Sequence, residues 1–293
     1  MQLISIGIPN AVSVNSEFIE YGVKNLNKEG INVAVNLNDC GQIVFYNFSL
    51  KDKQSVKYIY KIKKYVADVI SDIIVNQLDK KVIKNIIKKY YYYFDEEEQK
   101  QIIKIANDIL DDDINRDTFK LIKKEEIYLL LLDFLKYNNR VNIEGFLNFR
   151  LRDFIGELNE IANRAVDEFM IQKEYNEFVG LLRYFVELQE SKIDVLNIVV
   201  EDDGTFRFFD SNGKPITEEL LKDISIEFNG GELSDEDMLL STLISIAPEK
   251  IFIHSVKNIR NKEIIETIKK VFYERVFICH GCNLCLLNEL RKY

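Results

Sequence analysis

The sequence predicts a mixed α/β (α+β) fold. A large all-helical middle, residues 54–190, lies between an N-terminal βαββ unit and a C-terminal β-hairpin followed by a βαβ unit. Three observations carry this. Apolar residues alternate with period two at both ends of the chain, as in LISIGIP and INVAVNL near the start and IFIH near the end. In the middle the same residue types return every three or four positions, the helical period. Gly-containing turn signals (Asp39-Cys40-Gly41, Asp202-Asp203-Gly204, Asn212-Gly213, Gly230-Gly231) fall outside the helical stretch.

In chain order, Ile4, Ile6 and Ile8 mark the first strand, residues 16–26 a helix, and Ile31, Val33, Val35 and Leu37 the second strand. Asn38-Asp39-Cys40-Gly41 turns the chain into a third strand, QIVFYNFS. The middle opens with the stripe Ile59, Ile62, Val66, Val69 and Ile73, opposite Lys57, Lys61 and Lys64. A helix with Ile83, Ile87 and Tyr90 against Lys81, Lys84 and Lys88 follows. Asp95 to Glu98 begin the next helix, since acidic side chains are favoured at the positive end of the helix dipole. That helix ends near Leu110, and another covers residues 124–137. Residues 141–191 read as a pair of helices. Leu147, Leu151, Phe154, Leu158, Ile161, Ala165 and Phe169 line the first; Tyr175, Phe178, Leu181, Leu182, Phe185 and Leu188 form the buried stripe of the second. Arg183, inside that apolar run, requires a carboxylate or a carbonyl to meet it.

After Ser191, DVLNIVVE and TFRFFD flank a hairpin turn, and Ser234 with Asp237 makes a capping-box-like helix start. A strand ending at His254, a helix over 262–273 and a strand ending at Cys279 complete a βαβ unit. The expected division is 1–50, 51–191 and 192–293, with the two terminal segments sharing one sheet because neither is large enough to stand alone.

Composition bounds the function. At 293 residues, 47% hydrophobic and 30% charged, the chain suits a globular protein with a sizeable core. A net charge of −9 argues against broad binding to nucleic-acid backbones, whose affinity comes from neutralised phosphates. The start of the chain has no signal-peptide pattern, and the longest apolar run is too short to span a bilayer, so the expected compartment is the cytoplasm. Three of the four cysteines crowd into Cys279-His280-Gly281-Cys282-Asn283-Leu284-Cys285. Such spacing in a reducing compartment points to metal or redox chemistry rather than a disulfide framework.

Thiolates three residues apart turn toward one centre and suit zinc or a [4Fe–4S] cluster. The fourth ligand must come from elsewhere. In a βαβ unit both strands end at the same sheet edge, which brings His254 toward Cys279. Cys40, His280 and an exogenous ligand are the alternatives, and the plainer reading makes the cysteines apolar filler and His254 a hydrogen-bonded core residue. A redox reading lets a short helix over 281–290 depress a thiol pKa. The Lys/Tyr-rich stretch 51–93 offers a nucleic-acid or anionic-membrane face, against the plainer expectation of solvated helix surfaces enriched in Lys by A/T-rich codons. The acidic runs 111–113 and 201–203 sit at element ends, where Asp is favoured locally. No phosphate loop, nucleophile elbow or zinc-protease motif occurs, and two histidines leave few acid–base schemes, so the reading leans away from an enzyme.

The run FLNFRL, continued by AVDEFMIQKEYNEFVGLLRYFVELQ, resembles the YtxC-like sporulation proteins of spore-forming bacteria. The resemblance implies a sporulation-associated protein acting through partners, and it assigns no catalytic residue. A thiol-dependent or iron–sulfur enzyme is the rival from a different class.

Overall fold

The computed structural model describes residues 2–10, 16–50, 56–112, 116–216 and 234–285. By proximity the chain divides into two compact units, Met1–Ile171 and Gln172–Tyr293. The architecture is mixed α and β, with a large helical middle between strand regions near the two ends.

The first unit is built on β1 (Gln2–Pro9), α1 (Ser16–Lys28), β2 (Val33–Asp39), β3 (Ile43–Leu50) and the short β4 (Arg140–Asn142). Its sheet has the order β2-β3-β1-β4, with β4 alone running parallel to its neighbour β1. Ile4, Ile6 and Ile8 point to the helix-covered face and are buried, as their alternation requires. Against them lie α2 (Val56–Ile73), a π turn (Ile74–Leu78), α3 (Asp79–Tyr90), α4 (Glu96–Asp112), α5 (Arg116–Tyr137) and α6 (Ile143–Arg150). Ile62, Val66, Val69, Ile73, Ile83 and Ile87 are buried in one core with the strand isoleucines. Asp95 caps α4: its carboxylate accepts from the amides of Glu97 and Glu98, and Glu98 reaches back to the Asp95 amide. Gly22 is required by a close approach, since a Cβ there would overlap the Tyr65 ring that reaches the Ile19 carbonyl.

Helix α7 (Arg152–Leu188) corrects two expectations. The anticipated helix pair breaks at Leu151, not between Phe169 and Tyr175, because Met170 to Glu174 hold no cap, Gly or Pro that could end a helix. Asn142 does cap α6 through the Gly145 amide. Leu147, Leu151, Phe154, Leu158, Ala165 and Phe169 are buried as expected, but Phe178, Leu181, Phe185 and Leu188 are exposed. The buried line at that end is Val179 and Val186, flanked by half-buried Tyr175 and Leu182.

The second unit has its own sheet, which corrects the expectation of one shared by both ends. Its strands are β5 (Val195–Val200), β6 (Phe206–Phe209), β7 (Lys250–His254) and β8 (Val276–Ile278), in the order β6-β5-β7-β8. β5 and β6 form the expected antiparallel hairpin, while β5, β7 and β8 run parallel. Leu196, Ile198, Val200, Ile251 and Ile253 cluster with Leu239 and Leu243 of α8 (Asp235–Ile246) and Ile265 and Ile268 of α9 (Glu263–Phe272). Ser234 caps α8 through the Asp237 amide, as its spacing predicts. The Gly230-Gly231 turn signal lies outside the described residues. No described helix is long and apolar enough to cross a membrane.

Candidate metal centre

Three parallel strands set up one corner of the second unit. In register, Val199 of β5 stands beside His254, and Phe252 of β7 stands beside Phe277. Alternation along each strand then puts Asn197, His254 and Cys279 on the same face, opposite the helix-packed residues. The Cys279 amide donates to the Ile253 carbonyl at 2.9 Å, which continues the β7–β8 ladder one step and fixes Cys279 at the strand end. Gly281, with φ at 138°, lets the chain turn back on itself, and its amide points at the Cys279 sulfur at 3.4 Å. A helical turn starts at Asn283, so Cys282 and Cys285 lie three apart on one side of it.

The result is a convergent group of four. Sγ of Cys282 lies 3.3 Å from Nδ1 of His254 and 3.9 Å from Sγ of Cys285. Sγ of Cys285 lies 3.6 Å from that Nδ1 and 3.8 Å from Sγ of Cys279. One ligand atom from each residue falls within 4.8 Å of every other. A tetrahedron of thiolates at about 2.3 Å from zinc separates its sulfurs by about 3.8 Å, so these spacings suit one shared ion. His254 is the fourth member; Cys40 lies exposed in the β2–β3 turn and His280 is exposed, and neither belongs to the group.

The neighbours of the four bear on their protonation. Nδ2 of Asn197 donates to the Asp210 carbonyl at 2.9 Å, which turns Oδ1 of the same amide toward His254. Nε2 of His254 stands 3.1 Å from that Oδ1 and therefore carries the proton, leaving the Nδ1 lone pair facing the sulfurs. Burial pushes the His254 pKa below the ordinary value, which also favours the neutral, ligating form. Burial likewise raises the Cys279 thiol. At Cys285 burial is outweighed by hydrogen bonds from the backbone of Cys282 and Ser255 and from the neighbouring thiols, and its pKa falls below the usual thiol range. Asn197 and Ser255 belong to no motif in the sequence. Asn197 did leave a trace, as the lone polar residue inside VLNIVV.

The other candidate residues are dispersed. Lys61 pairs with Glu29 and Lys80 with Asp111, each at 2.9 Å, and Lys63 donates to the Leu135 carbonyl. Lys64 and Lys89 lie over the rings of Tyr60 and Tyr90. Lys84 and Lys88 are exposed. Glu201 meets Arg207, while Asp203 accepts from Thr205 within the hairpin turn, a local role for that acidic run. Arg183 finds the carbonyl it requires, that of Lys270, through Nε at 3.1 Å.

Comparison with known proteins adds the family. The sequence model described as the YtxC-like family matches residues 64–277. This chain belongs to the YtxC-like family. The matched region includes Asn197 and His254 and stops two residues before Cys279. The chain is similar to a Bacillus subtilis (strain 168) protein described as "Uncharacterized protein YtxC", 29% identical over 180 residues. That match covers 60% of this chain and 62% of the relative, so it spans less than two thirds of the relative's length. No solved structure matches.

Proposed function

We propose that this YtxC-like protein binds one zinc ion through His254, Cys279, Cys282 and Cys285. The metal pins the 279–285 loop to the end of β7. The observation that carries the reading is the convergence of three sulfurs and one imidazole nitrogen within 4.8 Å. Four protein ligands complete a tetrahedron and leave no open position for substrate, so the role is structural rather than catalytic. Zinc is favoured over a [4Fe–4S] cluster because a cluster takes each ligand on a different iron and spreads the sulfurs apart. A thiol-dependent activity is disfavoured for the same reason, since metal ligation ties up all three thiolates. The wider role we assign is that of a sporulation-associated protein acting through partners, which rests on the family resemblance. The cytoplasm is its proposed compartment; no described helix is long and apolar enough to cross a membrane.

The test is the elemental content and visible spectrum of protein purified without oxygen. One zinc per chain and a colourless solution are expected. A broad brown absorbance with iron and acid-labile sulfide would replace zinc with a cluster, and no stoichiometric metal would remove the site. Loss of the gene from a spore-forming host should lower the yield of heat-resistant spores, and unchanged yields would sever the protein from sporulation.

A further inference from the structure

The C-terminal half of α7 carries two interleaved apolar stripes. Tyr175, Val179, Leu182 and Val186 face the core of the second unit, with Val179 and Val186 buried. Phe178, Leu181, Phe185 and Leu188 lie on a neighbouring face and are 53, 57, 53 and 65% exposed. Their spacing of three, four and three residues is the a/d seam of a coiled coil, which drives pairing of one helix with another.

The stripe is a palindrome about position 183. An antiparallel two-fold centred there sets Phe178 against Leu188 of a second copy and Leu181 against Phe185, so every layer pairs one large ring with one branched chain. A parallel pairing instead stacks Phe on Phe and Leu on Leu, giving layers of unequal width. Charge agrees with the antiparallel choice: Glu174, exposed on the same line of α7, would face its own counterpart in a parallel pair and is kept far from it in the antiparallel one. The area also suffices. With Tyr184 added, five side chains about half exposed, at on the order of 200 Å² each, give roughly 500 Å² per copy. The pair then buries ~1,000 Å², the lower bound for a specific interface.

We propose that two copies of this chain dimerise through the Phe178–Leu188 face of α7, antiparallel about position 183. The occupant of this face is a second copy, because the seam complements itself in shape and the antiparallel register separates the two Glu174 carboxylates. The metal plays no part in the contact.

The test is sedimentation of the full-length, metal-loaded chain over a range of concentrations, with circular dichroism confirming the fold of each variant. The unaltered chain should show a monomer–dimer equilibrium. Leu181→Glu, counted twice at a two-fold seam, should raise the dissociation constant about 100-fold or more with helix content unchanged. Phe185→Glu repeats the test should Leu181→Glu fail to fold. Glu174→Gln should leave the dissociation constant within about twofold, because the antiparallel register keeps the two carboxylates apart. A chain monomeric at every concentration, or a dimer indifferent to both seam variants, overturns the proposal. A dimer broken by the seam variants but tightened several-fold by Glu174→Gln overturns its antiparallel register.

Discussion

Asn197 decides which nitrogen of His254 is free to ligate. Its amide is held at one end by the Asp210 carbonyl and at the other accepts the imidazole proton, so the ring presents Nδ1 to the three sulfurs. Partners of this kind commonly contribute 10–100-fold in metal affinity, and Asn197→Leu should therefore weaken zinc retention by about that factor in competition with a chelator. Asn197→Asp, which keeps an acceptor, should lose less; equal losses would mean that Asn197 matters only for packing. Cys282→Ala should release the metal outright, and His254→Ala should leave a weaker site that exchanges quickly, both read by metal content after dialysis. The convergence of the four residues was legible in the sequence because thiol spacing is local and because a parallel βαβ unit obliges its strands to end at one edge. Asn197 was not, because its value depends on β5 lying beside β7 in the register that pairs Val199 with His254, and nothing in VLNIVV states that pairing.

At the scale of elements, α7 shows where periodicity stops being informative. Leu158 is fully buried, and Leu158→Ala should cost about 2–5 kcal/mol in denaturant unfolding, the usual price of a cavity in a packed core. Phe185→Ala should cost the isolated monomer clearly less, on the order of 1 kcal/mol, since about half the ring is already in water. Comparable losses at both positions would contradict the assigned faces. The expected stripe held Phe178, Leu181, Phe185 and Leu188 together with Tyr175 and Leu182, and left out Val179 and Val186. Both lines have helical spacing, and only the sheet and α9 packing against the helix select between them. The strands and their turns were easier to read, since alternation in Ile4, Ile6 and Ile8 admits one buried face and Asp202-Asp203-Gly204 admits one local fold. The number of sheets was not readable, because strand partners from opposite ends of a chain leave no local mark.

On the scale of the whole molecule, two units with separate sheets and separate cores share one sequence, and the cysteine–histidine group belongs to the second. An ion that binds only the folded state adds about 4 kcal/mol when its free concentration is a thousand times its dissociation constant. Chelation should therefore loosen the second unit and spare the first. In amide hydrogen exchange, protection should fall across 250–285 and persist across 62–87; a uniform loss would mean that the metal supports the entire chain. The central claim is most directly tested by X-ray absorption at the zinc edge on protein purified without oxygen. The account predicts one zinc per chain with three sulfurs at about 2.3 Å and one nitrogen at about 2.0 Å. A shell of oxygen and nitrogen alone, or a chain that holds no stoichiometric zinc, would contradict it.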